Sequence, residues 1–182
     1  MKIYTRKGDD GTTGLLFGGR VRKDGPAPSA YGAVDEAQAA LGAARAECAR
    51  GSELDAMLIG LERDLWVLMA ELATDPTNRS KLTAEKNLVT NDMVAALEAS
   101  IDALSAQFDP PTEFVVPGEN RVAALLDVAR TVVRRAERHA LVVATDDSYV
   151  VPYLNRLSDL LWTMARWQEG TSLTSSPSRE DQ

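Results

Sequence analysis

Apolar residues recur at spacings of three and four along much of the chain, the periodicity of helices that turn one face toward a core. A first helix is predicted over 30–50, with Ser29 as its N-cap, Val34, Ala37, Leu41 and Ala44 as its stripe, and Gly51 as its stop. A second runs over 53–73 behind Ser52, its stripe Leu54, Leu58, Leu61, Leu65, Leu68 and Leu72, and Asp75-Pro76 ends it. The third is expected over 92–107, capped by Thr90 or Asn91 and closed by Pro110-Pro111. The fourth covers 121–144 behind Asn120, with Leu125, Leu126, Val128, Val132 and Val133 on its apolar side. The fifth covers 150–168, with Pro152 in the first turn, where proline is tolerated. Alternation of period two is absent, so the pattern predicts an all-α, five-helix bundle.

The segments between are polar or broken. Residues 1–28 hold six glycines and two prolines and read as irregular. Residues 75–89 form a polar connection, and residues 114–118 read as extended or turn-like because Pro117 keeps Val116 out of the helical region. The polar tail, 170–182, has no apolar period and is expected to be flexible. With 182 residues and no repeat, the chain reads as one domain over 1–169 followed by that tail.

Charge narrows the function. Lys and Arg number 20 against 27 Asp and Glu, a net charge of −7, which disfavours a nucleic-acid-coating surface. Cys48 is the only cysteine, so neither an internal disulfide nor a multi-cysteine metal site can form. The first residues carry no signal-peptide core and no stretch is long enough for a membrane span; the expectation is a cytoplasmic protein.

Two segments stand out against the acidic background. In residues 5–14, Thr5, Arg6, Lys7, Gly8, Asp9, Asp10, Gly11, Thr12, Thr13 and Gly14 combine glycines, hydroxyls and two cations. Glycines allow successive N–H groups to converge on an anion, and the cations add to this. Neither the P-loop nor the dinucleotide fingerprint fits: Gly19 is followed by Arg20-Val21, and no strand precedes the glycines. A flexible arm is the competing reading. In the fourth helix, Arg130, Arg134, Arg135 and Arg138 fall within nine residues alongside Glu137. Like charges at i, i+4 repel unless an anion or acid lies between them, and guanidinium forks suit phosphate oxygens. A polyphosphate grip and a ladder of ion pairs to neighbouring acids both satisfy that requirement.

Other polar groups are less specific. Asn155, Asp159 and Trp162 share one face of the fifth helix. The Asn/Asp pair could orient arginines, contact a metal–phosphate, or make an ordinary bundle contact; Asp35-Glu36 poses a similar choice. His139 is the only histidine and has no Glu-x-x-His partner, which disfavours a di-iron bundle.

Taken together, the segments resemble the PduO-type ATP:cob(I)alamin adenosyltransferases. The resemblance is carried in order by residues 3–13, Arg20-Val21-x-Lys23, residues 30–36 with Leu41-Gly42, residues 114–118, 129–138 and 153–159. It implies a trimer with sites between subunits. Thr5, Arg6, Lys7, Gly8, Asp9, Gly11, Thr12, Thr13, Gly14, Lys23, Arg134, Arg135, Glu137, Arg138 and Asn155 would then bind ATP. Arg130 would pair with Asp35 of a neighbour and help place the reactants. Phe114, with Asp159 on the cobalamin side, would displace the lower axial ligand of the corrinoid.

The reaction so implied is attack of Co(I) on the 5′ carbon of ATP, with triphosphate leaving. Magnesium would bridge the phosphates, a reductase would supply the electron, and a cobalamin-dependent mutase would be a further partner. Departures from the family pattern are Glu119 after Pro117-Gly118, Ala37-Gln38 after Asp35-Glu36, and Pro26-Ala27-Pro28. The alternative is a non-catalytic ATP or cobalamin sensor or delivery protein of the same fold.

Overall fold

The computed structural model describes residues 3–175. Its α-helices are α1 (Pro26–Ala46), α2 (Glu53–Leu72), α3 (Asn91–Ser105), α4 (Arg121–Ala140) and α5 (Val150–Glu169), with a 3-10 helix at Pro76–Lys81 in the polar connection. A short antiparallel hairpin, β1 (Thr12–Gly14) and β2 (Arg20–Arg22), precedes them. The fold is therefore mostly helical with a small sheet.

Local chemistry accounts for the helix ends. The Ser52 hydroxyl accepts from the Asp55 N–H, Thr90 from Met93 and Asn120 from Ala123, each satisfying a donor in a first turn. The start of α1 corrects the expectation from sequence. Gly25 takes the extended cap conformation and Pro26 begins the helix, while the Ser29 hydroxyl donates to the Gly25 carbonyl at 2.9 Å inside the first turn. Pro26 and Pro28, placed in the irregular segment by the sequence, open the helix instead, because the fixed φ of proline suits a first turn. Helix α4 stops at Ala140 instead of continuing to 144; Val142 and Val143 close tight turns onto His139 and Ala140.

Helix α1 packs between α2 and α4, α4 against α5, and α5 against α3. The pairs Glu36–Arg135 and Glu47–Arg121 show α1 and α4 running antiparallel, so the start of α1 lies beside the end of α4. Leu41, Leu58, Leu65, Leu68, Leu126, Leu154, Leu157 and Leu161 are fully buried at the centre. Each such side chain contributes about 1.5–3 kcal/mol on leaving water.

Two buried polar contacts fasten the periphery. Glu71 accepts from Arg79 at 2.7 Å, Ser148 at 2.6 Å and the Val89 N–H at 2.7 Å, which ties the polar connection to the turn before α5. The buried Tyr153 hydroxyl donates to Asp64 at 2.8 Å, bridging α5 and α2.

Residues 3–28, the described part of the glycine-rich segment, hold more structure than the glycines suggested. The three-residue strands are too short to leave a periodic signal, and the loop between them is turned by Phe17, Gly18 and Gly19, all at positive φ. The Leu16 N–H donates to the Ala73 carbonyl at 2.8 Å and docks the hairpin on the end of α2. The tail also departs from expectation over its first residues. Val116 N–H donates to the Leu173 carbonyl at 2.8 Å, and Ser175 N–H to the Phe114 carbonyl at 2.7 Å. These bonds cross between two aperiodic segments, so no spacing within either predicted them. The rest of the tail, 176–182, lies outside the described residues. Among the described residues no helix is long and apolar enough to cross a membrane.

Candidate functional site

The glycine loop folds back on the hairpin. Arg20 organises it: Nη2 donates to the Lys7 carbonyl at 2.6 Å, Nε to the Thr12 hydroxyl at 3.0 Å, and Nη2 also contacts that hydroxyl. Asp10 accepts from the Thr12 hydroxyl at 2.8 Å and the Thr12 N–H at 2.9 Å, bonds that hold its carboxyl below the ordinary carboxylate range. Asp10 is thus used by the loop's own backbone. Gly11, at φ +79°, makes the turn and accepts from the Lys23 N–H at 2.9 Å. The Lys23 ammonium lies over Gly8, where an added Cβ would meet Lys23 Nζ at 3.0 Å and the Thr12 carbonyl at 3.1 Å. Only glycine leaves that approach open. Thr12, Thr13 and Gly14 lie on β1, facing Arg22, Val21 and Arg20. Thr5 accepts from the Lys7 N–H at 3.4 Å, and Asp9 donates its N–H to the Arg6 carbonyl at 3.4 Å.

The arginine helix divides into engaged and free groups. Arg130 Nε is 3.3 Å from Asp127 of its own helix. Arg135 pairs with Glu36 of α1 at 2.5 Å. Arg138 donates to the Arg134 carbonyl at 2.9 Å, leaving both exposed guanidinium groups without an acid among the described residues. Glu137 accepts from the Asn155 amide at 3.0 Å, and Arg156 donates to the Asn155 carbonyl at 2.9 Å, so Asn155 is held from both ends. Neither the pure phosphate grip nor the pure ion-pair ladder describes this cluster. Arg130 and Arg135 have carboxylate partners, and among the described residues Arg134 and Arg138 do not.

The loop is fastened to β2 and α2, whereas the arginine cluster is fastened to α1 and α5. Asp35 stands exposed on α1, and its proposed partner Arg130 is bound to Asp127 within this chain.

A third group lies farther along α5. Phe114 is 87% exposed, and with Pro111, Thr112, Glu113, Val115 and Trp162 it lines an open pocket of about 360 Å³. Asp159 is exposed and 3.9 Å from Arg156. At 1.5 Å rise per residue, Asn155 and Trp162 are about 10 Å apart along the helix axis. One face of α5 therefore runs from the arginine cluster to the aromatic pocket.

Sequence reasoning left Arg20, Asp127, Arg166 and Trp162 without roles. For Arg20 the hint was a cation six residues beyond Gly14, across a glycine-containing loop. Asp127 and Arg166 fall on buried faces of α4 and α5, a polar interruption of the stripes. Among the described residues no group of three or more His, Cys, Asp or Glu could hold a metal ion.

The fold and these groups define a helical bundle that presents a cationic, glycine-rich loop and an arginine helix suited to a polyphosphate, with an open aromatic pocket nearby. The cobalamin adenosyltransferase family model matches residues 3–168, and the chain belongs to that family. It is 43% identical over 173 residues to a corrinoid adenosyltransferase of Citrobacter freundii, covering 93% of this chain and 96% of the relative. To the corrinoid adenosyltransferase PduO of Salmonella typhimurium it is 38% identical over 184 residues; the match takes in 99% of this chain and 53% of that longer protein, so the chain spans about half its length. The structure is similar to that of a phenylalanine-to-alanine variant PduO-type ATP:corrinoid adenosyltransferase from Lactobacillus reuteri complexed with cobalamin and ATP. The TM-score is 0.84 at 26% identity, over 97% of this chain and 100% of that one.

Proposed function

We propose that the chain transfers the 5′-deoxyadenosyl group of ATP to the cobalt of cob(I)alamin, releasing triphosphate and forming adenosylcobalamin. The observation that carries this reading is the α5 face, on which Asn155, bonded to Glu137 of the arginine helix, and Trp162 of the aromatic pocket stand about 10 Å apart. That is the scale needed to hold a triphosphate at one end and a corrin face at the other. In the transfer, the cobalt lone pair forms the Co–C5′ bond as the C5′–O bond breaks, and its electrons leave on the triphosphate. The nucleophile belongs to the substrate, so the protein's contribution is alignment and charge stabilisation.

Arg134 and Arg138 are the groups best suited to the growing charge on the triphosphate. Lys7, Lys23 and the N–H groups of the glycine loop, with Thr5, Arg6 and Thr13, would hold the nucleotide from the other side. In the homotrimer that the family resemblance implies, the loop of one copy would meet the arginine cluster of a neighbour. Residues 1–28 then act as a nucleotide-binding segment on a bundle extending to 169. At that interface Asp35 of a neighbour would compete with Asp127 for Arg130. Phe114 would press on the lower corrin face and displace the axial ligand, which favours reduction of cob(II)alamin by a separate reductase. Magnesium would travel with the phosphates, which supply oxygen ligands of the kind it prefers.

The test is anaerobic incubation of the chain with ATP and chemically reduced cobalamin. Loss of the cob(I)alamin spectrum with stoichiometric triphosphate supports the enzyme. Tight binding of both ligands with persistent cob(I)alamin, while a known adenosyltransferase consumes it, assigns a sensor or delivery role instead.

A further inference from the structure

Arg166 is an arginine only 2% exposed, held between α4 and α5. Its Nη2 lies 2.5 Å from Asp127 Oδ2 and 2.9 Å from Glu169 Oε1, and its Nε makes an ion-pair contact with Glu169 Oε2 at 2.8 Å. The Asp127 and Glu169 side chains are 7% and 0% exposed. Burying such a trio costs several kcal/mol per ion, and well-packed apolar residues often do as well or better for stability alone. A leucine-rich bundle has no need of it for cohesion.

The outer contacts of the trio suggest what it does. Asp127 Oδ1, the oxygen not used by Arg166, faces Arg130. The Arg166 guanidinium sits 5.8 Å from the Trp162 ring centroid, within cation–π range, and so backs one wall of the aromatic pocket. Glu169 Oε2 accepts from the Ser172 hydroxyl at 2.6 Å. Ser172 opens the short segment whose backbone pairs with Phe114, which lines the same pocket as Trp162, and with Val116. One buried guanidinium thus contacts Trp162 directly, reaches Arg130 through Asp127, and reaches the Phe114 segment through Glu169, Ser172 and the backbone that follows.

We propose that Asp127, Arg166 and Glu169 are positioning residues that hold Arg130, Trp162 and the Phe114 segment in one fixed relation. Arg166 props the indole, Glu169 pins the tail strap that sets Phe114, and Asp127 parks Arg130 at the same node. The ligand of the pocket rests on the adenosyltransferase reading; the mechanical coupling does not.

The test uses the full chain with Ser172→Ala and Glu169→Gln, the first of which removes only the outer link and is safe for folding. Hydrogen exchange of the ligand-free protein should quicken at the Val116 and Ser175 amides by roughly tenfold in each, as expected for losing one charge-assisted bond. Amides of the arginine segment of α4 should be unchanged. ATP affinity should stay within about twofold, while the corrinoid KM rises roughly tenfold with a smaller change in kcat. Arg166→Lys should behave like Glu169→Gln, because a single ammonium replaces the guanidinium fork that spans Asp127 and Glu169. Unchanged exchange at Val116 and Ser175 in both variants overturns the proposal. So does a uniform rise across α4 and α5 with ATP affinity falling in parallel, which would mark a purely structural trio. If exchange responds as expected but the parent chain takes no corrinoid, the coupling stands and the adenosyltransferase reading fails.

Discussion

Replacing Arg20 with alanine tests whether the glycine loop is a pre-shaped nucleotide site. Arg20 is half exposed and holds the Lys7 carbonyl at 2.6 Å and the Thr12 hydroxyl at 3.0 Å, with Asp10 at 3.5 Å. The ion pair counts for little, because its partners are 47% and 65% exposed and solvent screens them. The two hydrogen bonds from a charged donor, discounted for exposure, leave about 1–2 kcal/mol of loop ordering. If ATP must bind the ordered loop, that ordering cost appears in the affinity, a rise in Kd of roughly 5–30-fold at 1.4 kcal/mol per tenfold. Global stability should hardly move, since no buried core residue lies in the hairpin; a melting shift below about 2 °C is expected. Titration calorimetry with ATP beside thermal melts measures both. Arg22→Ala is the control, because among the described residues Arg22 pairs with Asp24 alone, through side chains that are 77% and 67% exposed, and it should behave like the parent. An Arg20→Ala protein with unaltered ATP affinity, or one that melts early in proportion to its lost affinity, refutes the reasoning.

Arg134→Ala removes an exposed guanidinium that has no carboxylate partner among the described residues, so stability should hold while the ATP Kd read by calorimetry rises about 10–100-fold, the value of one charge-assisted phosphate contact. Phe114→Ala deletes a ring that is 87% exposed; ATP affinity and melting temperature should be retained, while turnover from cob(II)alamin with a reductase falls more than turnover from preformed cob(I)alamin in an anaerobic assay. Asp64→Asn probes the buried Tyr153 contact through pH. Burial raises the Asp64 carboxyl above its ordinary value, the Tyr153 hydrogen bond opposes this, and Glu85 adds to the rise. Ionisation is therefore harder in the folded chain, and this group's contribution is fully present below its ordinary carboxylate value and lost as pH rises through the raised one. Melts from pH 4 to 7 should show the asparagine variant gaining on the parent as pH rises; a constant difference would contradict that sign.

Much of the fold was legible because the leucine stripes of α2 and the side-chain caps at Ser52, Thr90 and Asn120 act within a turn or two of sequence. The misread elements depend on other signals. Pro26 fell in the stretch read as irregular because its helix-starting role depends on Gly25 adopting the cap conformation. The β1–β2 hairpin and the pairing of the tail with Phe114 are contacts between short aperiodic segments, and nothing inside either segment encodes the partner. At the site, residue types and density singled out the arginine helix, but the division of labour within it required geometry. Arg135 reaches Glu36 on α1 and Arg130 reaches Asp127, whereas Arg134 and Arg138 meet no acid among the described residues. Arg166 was the least visible, an arginine within an apolar helix face whose two carboxylates come from different helices.

The central claim is that bond making occurs at C5′ and that the polyphosphate leaves whole. ATP labelled with ¹³C at C5′, incubated anaerobically with the chain and cob(I)alamin, tests it directly by paired ¹³C and ³¹P NMR. The account predicts a new cobalt-bound ¹³C resonance appearing in step with intact triphosphate. Label that stays in ATP, or phosphorus that emerges as ADP and inorganic phosphate, would contradict it.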